Sequence, residues 1–104
     1  MAEERFLAHS AVFILIRNDK DEVLLLRRCN TGYMDGYYDM PSGHVERGEP
    51  LLEAAARELR EETGVVAKTA DLKLWHVNQF SANDQDYYNF FFVADTWEGK
   101  PAVL

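Results

Sequence analysis

A chain of 104 residues with 47% apolar content fits one domain, residues 1–104, with a modest core that buries about two-thirds of the unfolded surface. A formal net charge of −7 and a single cysteine exclude a nonspecific nucleic-acid binder and an internal disulfide. No apolar run approaches membrane-spanning length, and the N-terminus MAEERFLAHS is too charged for a signal peptide. Cys29 reads as a buried small hydrophobe or a bystander, and the chain is expected in a reducing cytoplasm. The negative charge leaves a nucleotide substrate open, because bound cations can reverse the sign of a site.

In chain order, Leu7 to Arg17 reads as a strand closed by the turn Asn18-Asp19-Lys20-Asp21, and Glu22 to Arg28 returns as its hairpin partner. Cys29 to Gly36 is a loop rich in turn residues, and Tyr37 to Met40 is short and extended before Pro41. A helix follows over Leu51 to Thr63, with Pro50 well placed as its first residue and Gly64 as its stop. Lys73 to Phe80 and Asp86 to Thr96 are two further strands around the turn Ser81-Ala82-Asn83-Asp84. A final turn falls at Glu98-Gly99-Lys100. Val12 to Ile16, Val23 to Leu26 and Phe90 to Val93 are continuous apolar runs, which imply a sheet covered on both faces. One helix covers one face.

The helix carries the chemistry. At about 100° per residue, Leu51, Leu52, Ala55, Ala56 and Leu59 form an apolar stripe, and Glu58, Glu61 and Glu62 fall on one arc beside it. Two such carboxylates about 6 Å apart repel by roughly 3 kcal/mol at an effective dielectric near 20. A helix built for stability alone would place a lysine or arginine among them. A bound divalent cation removes the conflict, and hard oxygen ligands suit Mg²⁺ or Mn²⁺. A solvated acidic face is the plain alternative when the helix is taken by itself.

The flanks extend the pattern. From Gly43 to Val65 the chain reads GHVERGEPLLEAAARELREETGV: a glycine, five residues, Glu49, seven more, then Arg57-Glu58-Leu59-Arg60-Glu61-Glu62-Thr63-Gly64-Val65. This resembles the Nudix box of the Nudix (MutT-like) hydrolases at every defining position. One small departure precedes it: many relatives read Pro-Gly-Gly where this chain has Pro41-Ser42-Gly43.

The resemblance implies an α/β fold, an α/β/α sandwich with a mixed sheet, here lacking the C-terminal helix. It implies Glu58, Glu61 and Glu62 as ligands of Mg²⁺ (or Mn²⁺), with the backbone carbonyl of Gly43 as a further one. Glu49 and Arg57 become a pair that braces the loop and the helix. At helical spacing Arg57 could instead pair with Glu53 or Glu61. Arg27 and Arg28 stand where relatives use a basic residue against phosphate, beside the plainer reading of a charged strand end. Among Tyr33, Tyr37, Tyr38, Trp75, Phe80, Tyr87 and Tyr88, packing is the commoner role and base stacking the rarer. His44 touches phosphate or braces its loop, while His9 and His76 have no assigned role.

The expected reaction is metal-assisted attack of water on the diphosphate of a nucleoside diphosphate linked to another moiety. Glu61, Glu62 or an acidic residue elsewhere takes the proton. By elimination of other signatures the substrate leans to a nucleoside triphosphate. The competing class is a Nudix-like module that binds a nucleotide or a protein partner with weak turnover or none. A sheet with one uncovered apolar face is expected to form a homodimer, or to be covered by a further C-terminal segment.

Overall fold

The computed structural model describes residues 5–28 and 35–102. Cys29, Tyr33 and most of the loop from Cys29 to Gly36 lie outside them. The first strand, β1 (His9–Ile16), is central. Two very short strands follow, β2 (Leu26–Arg27) and β3 (Tyr38–Asp39), then β4 (Ser42–His44). The helix α1 spans Leu51–Thr63 and leads through a 3-10 turn, Thr69–Asp71, into β5 (Lys73–Ala82) and β6 (Gln85–Ala94). The main sheet has the order β4-β1-β6-β5, with β1 parallel to β6 and the other pairs antiparallel. It is a mixed sheet under one helix, as the resemblance implies.

The expected hairpin partner of β1 forms only at its root. Arg17 and Val23 make a single bridge, Asn18 N–H donates to the Glu22 carbonyl, and Leu24 N–H donates to the Ile16 carbonyl. Beyond that, the edge of β1 is taken by β4, in the register Ala11 to His44, Val12 to Gly43 and Phe13 to Ser42. The second strand therefore peels away and pairs with β3 in a separate two-stranded sheet. A tertiary partner outcompetes the local one.

The other hairpin matches expectation closely. Ala82 pairs with Gln85, so the turn is the two residues Asn83 and Asp84, both with positive φ (52° and 61°). Such a turn twists with its strands, and Asn and Asp tolerate the left-handed region best after glycine. A bulge between Leu74 and His76 turns Trp75 onto the same face as His76, where it contacts Phe91.

The core lies between α1 and one sheet face. Val12, Ile14, Ile16, Phe92 and Ala94 pack from the sheet against Ala54, Ala55 and Leu59 of the helix. The buried stripe is rotated from the expected one: Ala54, Ala55, Leu59 and Thr63 are buried, while Leu52 is exposed. Two adjacent alanines let the helix lie close to the sheet, and the rotation brings the Glu58 and Glu62 flank toward β4. Pro50 is the N-cap, with ψ at 145°, rather than the first helical residue. Gly64, at φ 78°, stops the helix, and its N–H closes on the Arg60 carbonyl. Among the described residues, no helix is long and apolar enough to cross a membrane.

Candidate functional site

The chemistry gathers where the free edge of β4 meets α1. Ile14 N–H donates to the Pro41 carbonyl and Val45 N–H to the Ser10 carbonyl. Antiparallel alternation then points the backbone of Gly43 inward at Val12, and that of Ser42 and His44 off the free edge. Both outward groups are used by the helix. Ser42 N–H donates to Glu62 Oε2 at 3.2 Å, and the His44 carbonyl accepts from Arg57 Nη2 at 3.1 Å.

Gly43 has a steric reason to be glycine. It faces α1 across from Val12, and a Cβ built there would run into the carboxylate of Glu58. The missing side chain is the slot in which that carboxylate sits.

Arg57 is the hub. Its Nε donates to Glu49 Oε2 at 2.6 Å and its Nη2 to Glu49 Oε1 at 3.0 Å, a two-pronged clamp. Nη1 donates to Glu58 Oε1 at 2.8 Å and Glu61 Oε2 at 3.2 Å. With the His44 carbonyl, all five N–H groups of the guanidinium are engaged. Glu49 also accepts the Glu46 N–H at 3.0 Å. The expected brace of loop and helix is present, and the helical pairing with Glu61 coexists with it.

These contacts set the ionisation. Hydrogen bonding to Arg57, then to the Glu46 N–H, holds the Glu49 carboxyl below its ordinary range, and Arg57 is pushed further up by Glu49. Burial pushes the Glu58 carboxyl up, Arg57 pulls it back, and the like charges of Glu61 and Glu49 add to the push. Burial also raises Glu62, against the Ser42 N–H and with Glu58, Glu61 and Asp39 behind it. Two half-buried carboxyls are thus held above their normal range among like charges.

The donor set suits a hard divalent cation: three carboxylates on one helical flank, with backbone oxygens on the adjoining strand edge. The side chains are not gathered around one point. Glu58 and Glu61 turn to Arg57 and Glu62 to Ser42, and among the described residues no three acidic, imidazole or thiol groups converge tightly enough to hold an ion. Each of these bonds uses one carboxylate oxygen.

Arg27 ends β2, in the two-stranded sheet, and Arg28 follows it, its N–H donating to the Tyr37 carbonyl; neither lies on β4 or α1. Arg27 pairs in register with Tyr38 and is exposed, its guanidinium near Gly36. Sequence reasoning missed β4 itself and the histidine ring contacts beside it. His9 stacks near His44 at 6.0 Å and against Tyr87 at 5.0 Å. The alternation His9, Ala11, Phe13 along β1 placed His9 on the face away from the helix; no spacing rule paired it with His44.

A family model for the NUDIX domain matches residues 7–104. The chain is 30% identical over 87 residues to an 8-oxo-dGTP diphosphatase of Escherichia coli, an alignment spanning 84% of this chain and 66% of that protein. It is 36% identical over 84 residues to an ADP-ribose pyrophosphatase of Methanocaldococcus jannaschii, spanning 79% of this chain and 46% of that one. The chain thus covers less than two thirds of these curated relatives. Its fold superposes on a crystal structure of a MutT NUDIX hydrolase from Burkholderia pseudomallei with a TM-score of 0.81 at 25% identity, covering 94% of this chain and 74% of that one.

Proposed function

Because the chain belongs to the Nudix family, we propose that it hydrolyses the phosphoanhydride of a nucleoside diphosphate linked to another moiety, a nucleoside triphosphate or similar small nucleotide. The observation that carries this reading is the Arg57 hub, which ties Glu49, Glu58 and Glu61 to the carbonyl of His44 beside Glu62. Family membership and the 8-oxo-dGTP diphosphatase relatives support the reaction class and the triphosphate preference. The ADP-ribose pyrophosphatase relative keeps other diphosphates within reach.

Glu58, Glu61 and Glu62 would hold Mg²⁺ or Mn²⁺ through the carboxylate oxygens not committed to Arg57 and Ser42. Backbone oxygen from β4 would assist: the family resemblance names Gly43, whose backbone points inward at Val12, and the outward direction of the neighbouring Ser42 carbonyl on the strand edge makes that oxygen the better placed of the two. The ion would supply charge neutralisation on the phosphoryl oxygens and a water of lowered pKa. Arg57 keeps Glu58 and Glu61 on the same side of the helix, and Glu49 keeps Arg57 from swinging away. Glu62 or Glu61 accepts the proton of the attacking water. Arg27 and Arg28 would meet the outer phosphate of the substrate from the second sheet.

A nucleotide-binding module without turnover is the competing reading. The observation in its favour is that the three glutamates are turned to protein partners and not to a common point. The two separate on one assay: Mg²⁺-dependent release of a nucleoside monophosphate from a nucleotide panel, abolished by EDTA. Binding without product would support the module.

A further inference from the structure

The two edges of the main sheet are protected unequally. At one edge, β4 commits its outward backbone groups to Glu62 and Arg57. At the other stands β5, in which every residue from Lys73 to Ser81 is exposed. Among the described residues β5 adds nothing to the buried core, and Leu74, Trp75, Val77 and Phe80 all remain open to solvent. Such an edge presents a row of unpaired N–H and C=O groups on which another extended chain can pair.

The register says which groups those are. The two-residue turn Asn83-Asp84 closes on Ala82 and Gln85, which makes them a hydrogen-bonded pair. Alternation along β5 then points the backbones of Asn78 and Phe80 inward at Asn89 and Tyr87. Those of Val77, Gln79 and Ser81 point off the free edge. Lys73 and the bulge between Leu74 and His76 guard the start of the strand, since charges and bulges discourage edge pairing. From Val77 to Ser81 there is neither a charge nor a proline.

We propose that this edge pairs with the same edge of a second copy of the chain, antiparallel about a two-fold axis at Gln79. Gln79 then faces Gln79 of the second copy, and Val77 faces its Ser81 in both directions, as a two-fold contact requires. The outward residues are thus self-complementary, spaced evenly on either side of the axis. Charge points the same way. At a net charge of −7 two copies repel in general, but β5 contains no acidic residue. Antiparallel pairing also brings Lys73 of each copy toward the hairpin tip of the other, where Asp84 stands. The contact lies apart from β4 and α1, so it stands or falls independently of the nucleotide reading.

A ladder this short associates weakly, so a covalent trap reads it best. In a Cys29→Ser background, Gln79→Cys should form a disulfide-linked dimer under mild oxidation, because residues opposed in such a pair stand about 5.5 Å apart at Cα. Val77→Cys alone should not cross-link to itself, whereas Val77→Cys combined with Ser81→Cys should. Lys73→Glu should slow the cross-linking of the Gln79→Cys protein severalfold, and adding Asp84→Asn should recover part of the rate. Should Gln79→Cys disturb the fold, seen as a fallen melting temperature in the reduced protein, the Val77 and Ser81 pair reads the same axis. Equal cross-linking at Val77 and Gln79, no cross-linking at any of these positions, or a rate indifferent to Lys73→Glu would overturn the proposal.

Discussion

Two residues set the geometry of the candidate site most sharply, and both can be tested by substitution. Gly43 leaves the space that the Glu58 carboxylate fills. Gly43→Ala should cost about 1–3 kcal/mol through overpacking and should displace Glu58, lowering Mn²⁺ affinity. The Glu58→Ala background should absorb much of the stability cost, so a double-mutant cycle by urea denaturation will show positive coupling. Equal costs in both backgrounds would refute the steric account. Glu62 is the second residue, held by the Ser42 N–H and raised by burial among like charges. Glu62→Gln should lower kcat/KM by about 10²-fold or more and weaken Mn²⁺ binding in calorimetry. Its melting temperature without metal should not fall, because a charge under repulsion has been removed. Glu61→Gln should also weaken metal binding. Unchanged Mn²⁺ affinity in both variants would remove them from the metal site.

The helix and its facing strand act as one electrostatic element, and its pH dependence has a definite sign. Glu58 and Glu62 are raised above the ordinary 4.5, mainly by burial. Their contribution to stability is therefore full below about 4.5 and is lost as pH rises through their folded values. Glu49 is lowered, chiefly by Arg57. Its contribution is present above 4.5 and is lost as pH falls through its folded value. The metal-free protein should thus be most stable in mildly acid solution. The rise in melting temperature on adding Mg²⁺ should grow as pH rises above 4.5, because Glu58 and Glu62, both raised, become charged on that side; scanning fluorimetry across a pH series checks it. In the β5–β6 hairpin, Asp84 holds φ at 61°, so Asp84→Val should cost roughly 1–2 kcal/mol in the same assay.

Local signals made the helix, its Gly64 stop and the β5–β6 hairpin legible, because propensity, periodicity and turn chemistry agree there. They failed at Glu22 to Arg28, where the apolar run is genuine but β4 takes the edge it would have used. Ser42 to His44 gave no strand signal because their pairing is set by β1, far along the chain. The Arg57–Glu49 contact was legible only through the resemblance to the Nudix box, since helical spacing alone offered Glu53 or Glu61, while the rings at His9 and His44 meet only through strand register.

At the scale of the molecule, the sheet has one covered face and one open one. Its extents of 55 × 33 × 21 Å fit two layers, a sheet and a helix. The open face carries Phe13, Leu15, Phe91, Val93 and Trp75, the last 52% exposed, and a 290 Å³ cleft opens between Leu15, Arg17, Trp75 and Val93. Apolar surface of this kind marks an interface. The 104-residue chain should self-associate through it at micromolar concentration in sedimentation velocity, and Trp75→Lys should shift it toward monomer. A wild-type monomer at that concentration would contradict this. The proposed metal-dependent phosphoanhydride hydrolysis at the β4–α1 edge is tested most directly by product analysis after incubating the chain with a nucleoside triphosphate panel and Mg²⁺, beside Glu62→Gln and EDTA controls. At least one substrate should release a nucleoside monophosphate, and the release should be lost in both controls. Undiminished release by Glu62→Gln, turnover without metal, or no turnover of any nucleotide would contradict it.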